Sequence, residues 1–188
     1  MANVQHSALT GSDLHEPKGV ASATTGKVYI SNGSGSGAWT KAHNHADVYL
    51  AFDSSTPAYA HSATTSFTVI NPTLTSSSVD GFTVTNSPNA RVTYTGTHTL
   101  SSNIHISIST SQSTGTNKDV EWQIYKNGSL LTGAHVIRTI SSGSWGSISL
   151  LSNSTLATND YLEIYSKISS AGTVNYASIF WSVKGLPA

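Results

Sequence analysis

Apolar side chains recur at every second position through much of this chain, the spacing of half-buried β-strands, whose successive side chains point to opposite faces. Arg91-Val92-Thr93-Tyr94-Thr95 alternates in this way, and Ile104, Ile106 and Ile108 interleave with Asn103, His105, Ser107 and Ser109. Val120 to Tyr125 runs into Lys126-Asn127-Gly128-Ser129, where Asn-Gly supplies the two positive φ angles of a type I′ hairpin turn. Four later segments, Ala134 to Ile140, Ser147 to Leu151, Tyr161 to Ser166 and Tyr176 to Val183, are β-branched or aromatic in character and bounded by Ser, Gly, Asn or Asp. No stretch carries the long 3.6-residue period of an amphipathic helix. The pattern predicts an all-β sandwich or barrel of about eight to ten strands.

The first 26 residues behave differently. Val4, Leu9, Leu14 and Val20 follow neither period, and Pro17 and Gly19 interrupt the stretch, so it reads as an extended arm. Lys27-Val28-Tyr29-Ile30-Ser31 and Ala38-Trp39-Thr40-Lys41 then flank a Gly/Ser-rich loop, predicting a small hairpin. An isolated two-stranded hairpin is marginal in water, so this one is expected to pack on another surface, with Trp39 as the contact. His43-Asn44-His45 reads as a hinge. The predicted division is residues 1–45, an anchoring arm with its hairpin, and residues 46–188, the β-domain.

Composition narrows the function classes. Only 10% of residues are charged and 37% are hydrophobic, and nine Lys and Arg balance nine Asp and Glu. That balance gives no basic field for gathering phosphates, so nucleic acid is not an expected partner. The 188-residue chain has no cysteine, which removes disulfides and Cys-type zinc sites from consideration. No run of apolar residues is long enough for a membrane-spanning helix. The N-terminus lacks the basic and apolar regions of a secretory leader, so synthesis and assembly are expected in the cytoplasm of a host cell.

From about residue 79 onward the order of motifs resembles the C1q/TNF-like jelly roll: Gly81-Phe82, Arg91 to Gly96, Tyr125-Lys126-Asn127-Gly128, Leu156-Ala157-Thr158-Asn159-Asp160-Tyr161-Leu162-Glu163-Ile164, and Ala177-Ser178-Ile179-Phe180-Trp181-Ser182-Val183. Where that family has Gly before the Asp of the fourth turn, Asn159 stands here, and Asn tolerates the left-handed region. The resemblance implies a jelly-roll β-sandwich that forms a homotrimer, with Trp122, Tyr161, Tyr176, Phe180 and Trp181 as core or trimer-packing residues. The N-terminal stretch Leu9 to Ala21, followed by Gly26-Lys27-Val28-Tyr29 and the Gly-Ser loop, resembles the start of small virion proteins of tailed bacteriophages, some of which decorate capsids while others form fibres. That likeness implies a structural protein of the virion surface, most simply a trimeric capsid decoration or cement protein. Its partners would be itself and the major capsid protein, and Leu9, Leu14, His15, Glu16, Pro17 and Lys18 would form the anchor. The alternative is a receptor-binding head of a tail or head fibre that recognises bacterial surface glycan.

Catalytic chemistry finds little support. Gly33-Ser34-Gly35-Ser36-Gly37 lies in a hairpin loop with no helix after it, unlike a nucleophile elbow. The acids Asp47, Asp53, Asp80, Asp119, Glu121, Asp160 and Glu163 show no recognisable pairing for glycoside cleavage; Asp160 reads as a turn residue and Glu163 as an outward strand residue. No enzyme activity and no cofactor are expected. Of the eight histidines, His43 and His45 are the nearest to a metal pair, since residues i and i+2 of an extended chain point the same way and three chains could gather six imidazoles. The plainer reading is a solvated hinge. The aromatic residues Trp122, Tyr125, Trp145, Tyr161, Tyr165, Tyr176 and Trp181 would form a sugar-stacking platform only if several were exposed, and their place in strands favours packing.

Overall fold

The structure, a computed structural model, describes residues 26–31, 37–50, 57–113 and 115–188. The chain divides into two compact units, residues 1–42 and 43–188. In the first, β1 (Lys27–Ser31) pairs antiparallel with β2 (Gly37–Lys41), with Tyr29 opposite Trp39 and their rings edge to face at 5.5 Å.

The second unit holds β3 (Asn44–Leu50), β4 (Tyr59–Ala63), β5 (Thr68–Val69), β6 (Thr75–Asp80), β7 (Phe82–Thr85), β8 (Arg91–Tyr94), β9 (Leu100–Gln112), β10 (Lys118–Lys126), β11 (Ser129–Ile140), β12 (Gly146–Leu156), β13 (Tyr161–Ile168) and β14 (Gly172–Pro187). Among the described residues there is no helix. One sheet runs β11-β10-β13-β8-β7, with β5 also on β13; the other runs β12-β9-β14-β3-β6, with β4 also on β14. Take β3 and β8 to β14 as eight principal strands in chain order. The first sheet then holds the fifth, fourth, seventh and second, and the second sheet the sixth, third, eighth and first. Two Greek keys interleaved in that way are a jelly roll, the expected fold.

Period-two alternation builds the interior. On β9, Leu100, Ile104, Ile106 and Ile108 are buried while Ser101, Asn103 and His105 face out. Trp122, Trp181, Tyr94 and Tyr176 are the largest fully buried side chains. Burying each large apolar side chain contributes on the order of 2 kcal/mol, so these layers carry much of the drive to fold. Two of the aromatics also meet a polar requirement. The Trp122 indole donates to the Tyr176 hydroxyl at 3.1 Å, which donates to Ser166 Oγ at 3.3 Å, joining the two sheets through their centre. Burial pushes the Tyr176 hydroxyl far above its ordinary value, so it remains a neutral donor.

Two turns place the strands. Asn127 (φ 52°) and Gly128 (φ 76°) form the tight hairpin between β10 and β11. Asn159 (φ 72°) occupies the left-handed region before β13. The turns are stitched together: Asn127 Nδ2 donates to Asp160 at 2.6 Å, the Tyr161 amide donates to Asn127 Oδ1 at 2.9 Å, and Lys126 stands 3.4 Å from Asp160. Burial alone would raise the Asp160 pKa. The hydrogen bonds from Asn127 and the Ala157 amide, with the Lys126 charge, outweigh it and hold the carboxyl below the usual range.

Three details differ from the sequence reading. Asn44 and His45 belong to β3, paired with Gly185 and Lys184, rather than to a hinge, because β14 extends to Pro187 and supplies their partners. Strands β4, β5 and β6 were not anticipated; their Ser, Thr and Ala content gives little periodic contrast. Glu163 points away from the core, as read, yet is only 2% exposed because Arg91, Asn89 and Tyr165 close over it.

Candidate assembly face

Each sheet turns one face to the core and one outward, and the two outward faces differ in chemistry. On the β11-β10-β13-β8-β7 sheet most of the outward charged groups pair with one another, Arg91 Nε being left without a hydrogen-bond partner among the described residues. Glu121 is shared by Lys167 at 2.9 Å and His135 at 3.0 Å, and Asp119 accepts from Thr139 at 2.6 Å. Glu163 accepts from Arg91 at 2.8 Å and Asn89 at 3.0 Å. Over this network lie three tyrosines. Tyr125 and Tyr165 stack at 3.9 Å, and the Arg91 guanidinium sits 4.2 Å above the Tyr161 ring. Burial, together with the adjacent Glu163 carboxylate, raises the Tyr165 hydroxyl pKa, so the residue stays a donor to that carboxylate.

The outward face of the β12-β9-β14-β3-β6 sheet is less complete. Serines dominate it: Ser149 and Ser107 stand in register with Phe180 and Tyr49 across four strands. Phe180 is 43% exposed, Leu151 70% and Leu186 62%. The face carries a long ion pair, Lys184 to Asp47 at 3.6 Å. Next to it, two buried polar atoms on β3, His45 Nδ1 and Asp47 Oδ1, find no hydrogen-bond partner among the described residues. A buried polar atom without a partner costs about 1–3 kcal/mol. The first sheet's outward face has one such atom, Arg91 Nε, and exposes Ile137 and Leu130, so the two faces differ chiefly in how many charged groups each carries.

The backbone explains why these residues face outward. In a period-two strand, consecutive apolar residues cannot all point inward. Leu150 and Ile148 fill the core, which turns Leu151 out; Ile179 and Trp181 fill it from β14, which turns Phe180 out. Tyr49 and Leu186 lie on the same face, as does Lys184. The same parity is present in the sequence, whose reading names Phe180 as a core or trimer-packing residue but leaves Leu151, Tyr49, Lys184 and Leu186 unmarked.

The remaining anticipated residues fall as follows. Trp122, Tyr176 and Trp181 are inside the sandwich, Tyr161 is half-buried on the outer face of the first sheet, and Phe180 is on the outer face of the second. Leu9, Leu14, His15, Glu16, Pro17 and Lys18 lie outside the described residues. The His43 and His45 rings stack at 5.3 Å, with His45 Nε2 at 2.8 Å from Ser78 Oγ. Among the described residues no group of three His, Asp or Glu side chains is placed to hold a metal ion, and no helix is long and apolar enough to cross a membrane.

No family model matches this chain, and its sequence matches no curated protein. Among solved structures it is similar to Eiger TNF from S. frugiperda, with a TM-score of 0.49 and 12% identity over 77% of this chain and 94% of that one. Murine APRIL gives a TM-score of 0.48 at 12% identity, covering 77% and 99%. The PRD1 vertex protein P5 gives 0.47 at 15% identity, covering 77% and 97%.

Proposed function

We propose that this chain is a structural protein of a bacteriophage virion that works as a homotrimer, decorating the outside of the capsid and stabilising it. The observation that carries the reading is the contrast between the two outward faces: one carries most of the charged groups, held in ion pairs, and the other exposes Phe180 and Leu151 among serines and has buried polar atoms of His45 and Asp47 unpaired. A second and third copy against that face would remove the apolar surface from water and offer partners to the unpaired atoms. The phage assignment rests on the likeness of residues 9–21 and the Gly-Ser hairpin to small virion proteins.

In this reading the anchor is the part of the predicted 1–45 segment that precedes β3 (Asn44–Leu50). Leu9, Leu14 and Pro17 give apolar contact with the major capsid protein, and His15, Glu16 and Lys18 set polar register. Three arms on one body raise the effective concentration of the second and third contacts to roughly millimolar, so individually weak contacts sum to a durable hold. Deletion of residues 1–26 is expected to leave a soluble trimer by sedimentation that no longer attaches to particles. Normal attachment by the truncated protein would overturn the anchor, and a monomeric full-length chain at micromolar concentration would overturn the assembly.

A second reading, the head of a fibre that recognises bacterial surface glycan, is favoured by the half-buried Tyr125, Tyr165 and Tyr161 on the first sheet. Location on the particle separates the two. Many copies spread over the shell support decoration, and a few at the tail support host recognition.

A further inference from the structure

An open cleft of about 570 Å³ lies on the second sheet's outward face, where β14 ends beside β9 and the start of β3. Its size falls in the range of small-ligand sites. Its lining is built by register: Lys184 stands opposite Asn103, and Leu186 opposite Ser101. His43, one residue before β3, completes it, with Pro187 as a further apolar wall. Gly185 lets the strands approach there, since a Cβ at that position would sit 2.4 Å from the Ser101 carbonyl oxygen.

The lining carries hydrogen-bond donors of four kinds: an ammonium, an amide, a hydroxyl and an imidazole. Among the described residues no Asp or Glu side chain lines it. Asp47, the acid that reaches Lys184, does so at 3.6 Å and leaves the lysine side chain 62% exposed, so most of the ammonium's hydrogen-bonding capacity is unspent. Elsewhere in this unit the ion pairs of Arg91 and Lys167 close to 2.8–2.9 Å. A concave site with a cation, neutral donors and an apolar wall, but no acid, complements one kind of ligand.

We propose that this cleft binds a small oxyanion, a carboxylate or phosphate, with Lys184 and Asn103 holding the charged oxygens and Leu186 and Pro187 packing against the body that bears them. All the residues of the site belong to one chain, past Phe180 at the end of β14, so the proposal needs a copy-to-copy contact centred on Phe180 that leaves Lys184 and Leu186 open, and it is independent of the phage assignment. Two sources share the chemistry: a free inorganic anion, and an acidic sugar residue of a surface polysaccharide. Charge-assisted hydrogen bonds hold either one, but only the sugar also uses the apolar wall.

The test is a titration of the full-length protein, followed by NMR, with inorganic phosphate, glucuronate and neutral glucose as probes, and with sedimentation recorded in the same buffers. Saturable shifts at His43, Asn103 and Lys184 are expected with the anions and not with glucose. Lys184→Gln is expected to weaken binding at least tenfold, and Asn103→Ala severalfold, with unchanged melting temperatures because both side chains are exposed. Tighter binding of glucuronate than phosphate identifies an acidic sugar; equal binding identifies the free anion. No saturable binding of either anion, or an affinity unchanged in Lys184→Gln, overturns the proposal whatever the oligomeric state. A monomer that still binds would overturn the assembly reading and leave the cleft intact.

Discussion

Phe180→Ser tests the assembly face at its most exposed aromatic position. Phe180 is 43% exposed in the single chain. An aromatic side chain presents about 200 Å², so roughly 85 Å² of ring is available to be covered by a neighbouring copy. At about 25 cal/mol per Å², covering it contributes about 2 kcal/mol per copy, or about 6 kcal/mol for three. Since about 1.4 kcal/mol is a factor of ten, losing the ring should weaken the trimer by about four powers of ten if the whole exposed area is covered. The substitution should spare the fold, because Phe180 points away from the core while Ile179 and Trp181 on either side fill it. The control is Ile137→Ser: Ile137 is 54% exposed but pairs with Glu121 on the other sheet's outward face. Sedimentation velocity over a dilution series reads both. Phe180→Ser should dissociate at concentrations where wild type and Ile137→Ser remain assembled. Equal behaviour of the two variants would refute the assignment of the interface to this face.

Other outcomes follow from the local chemistry. Asn127→Ala removes two side-chain hydrogen bonds and puts Ala at φ 52°, so it should cost about 2–3 kcal/mol by thermal or denaturant unfolding, and Asn127→Gly less because Gly accepts that backbone. Glu163→Gln leaves the Arg91 charge without its counter-ion on a largely covered surface and should destabilise by about 2–3 kcal/mol; unchanged stability would show the pair to be fully solvated. His61 is buried between Tyr59 and Thr68, and burial lowers its pKa, so the folded state resists its protonation. Its folded value lies below the unfolded 6.5, so the stability it contributes is present above pH 6.5 and is lost as pH falls through the folded value. Urea unfolding between pH 7.5 and 5 should show this loss, and His61→Gln should reduce the slope.

What the sequence revealed depended on how local the determinant was. Ile104, Ile106 and Ile108 declare their strand without help, and Asn127-Gly128 declares its turn, because parity and a positive φ are properties of a few adjacent residues. Tyr59–Ala63 and Thr75–Asp80 declare nothing. They become strands because β14 and β3 offer them unpaired edges, a fact set by residues more than a hundred positions away in the first case. The buried state of Glu163 is likewise unreadable locally, since its partner Arg91 lies 72 residues earlier. The candidate face was half legible: parity exposes Phe180 and Leu151, but the unpaired atoms of His45 and Asp47 depend on neighbours in β6 and β14 and on the irregular register at Asp47.

The distribution of charge between the two sheets also bears on which one can meet another copy. Covering the first sheet would desolvate Glu121, Lys167, His135, Arg91 and Asp119, and a charge taken from water costs several kcal/mol unless its partner geometry is excellent. Apart from Arg91 Nε these groups are already paired within the chain, so a partner could add little to offset that cost. Covering the second sheet would desolvate mainly serine hydroxyls, which bond as readily to a neighbouring backbone as to water, and apolar side chains whose burial is favourable. The ion pair of Lys184 with Asp47 on that face is long, and Asp47 has an oxygen still to be satisfied. The cost of desolvating charge is therefore smaller on the β12-β9-β14-β3-β6 sheet, although the first sheet too exposes apolar side chains, Ile137 and Leu130, which is why Ile137→Ser is the matched control.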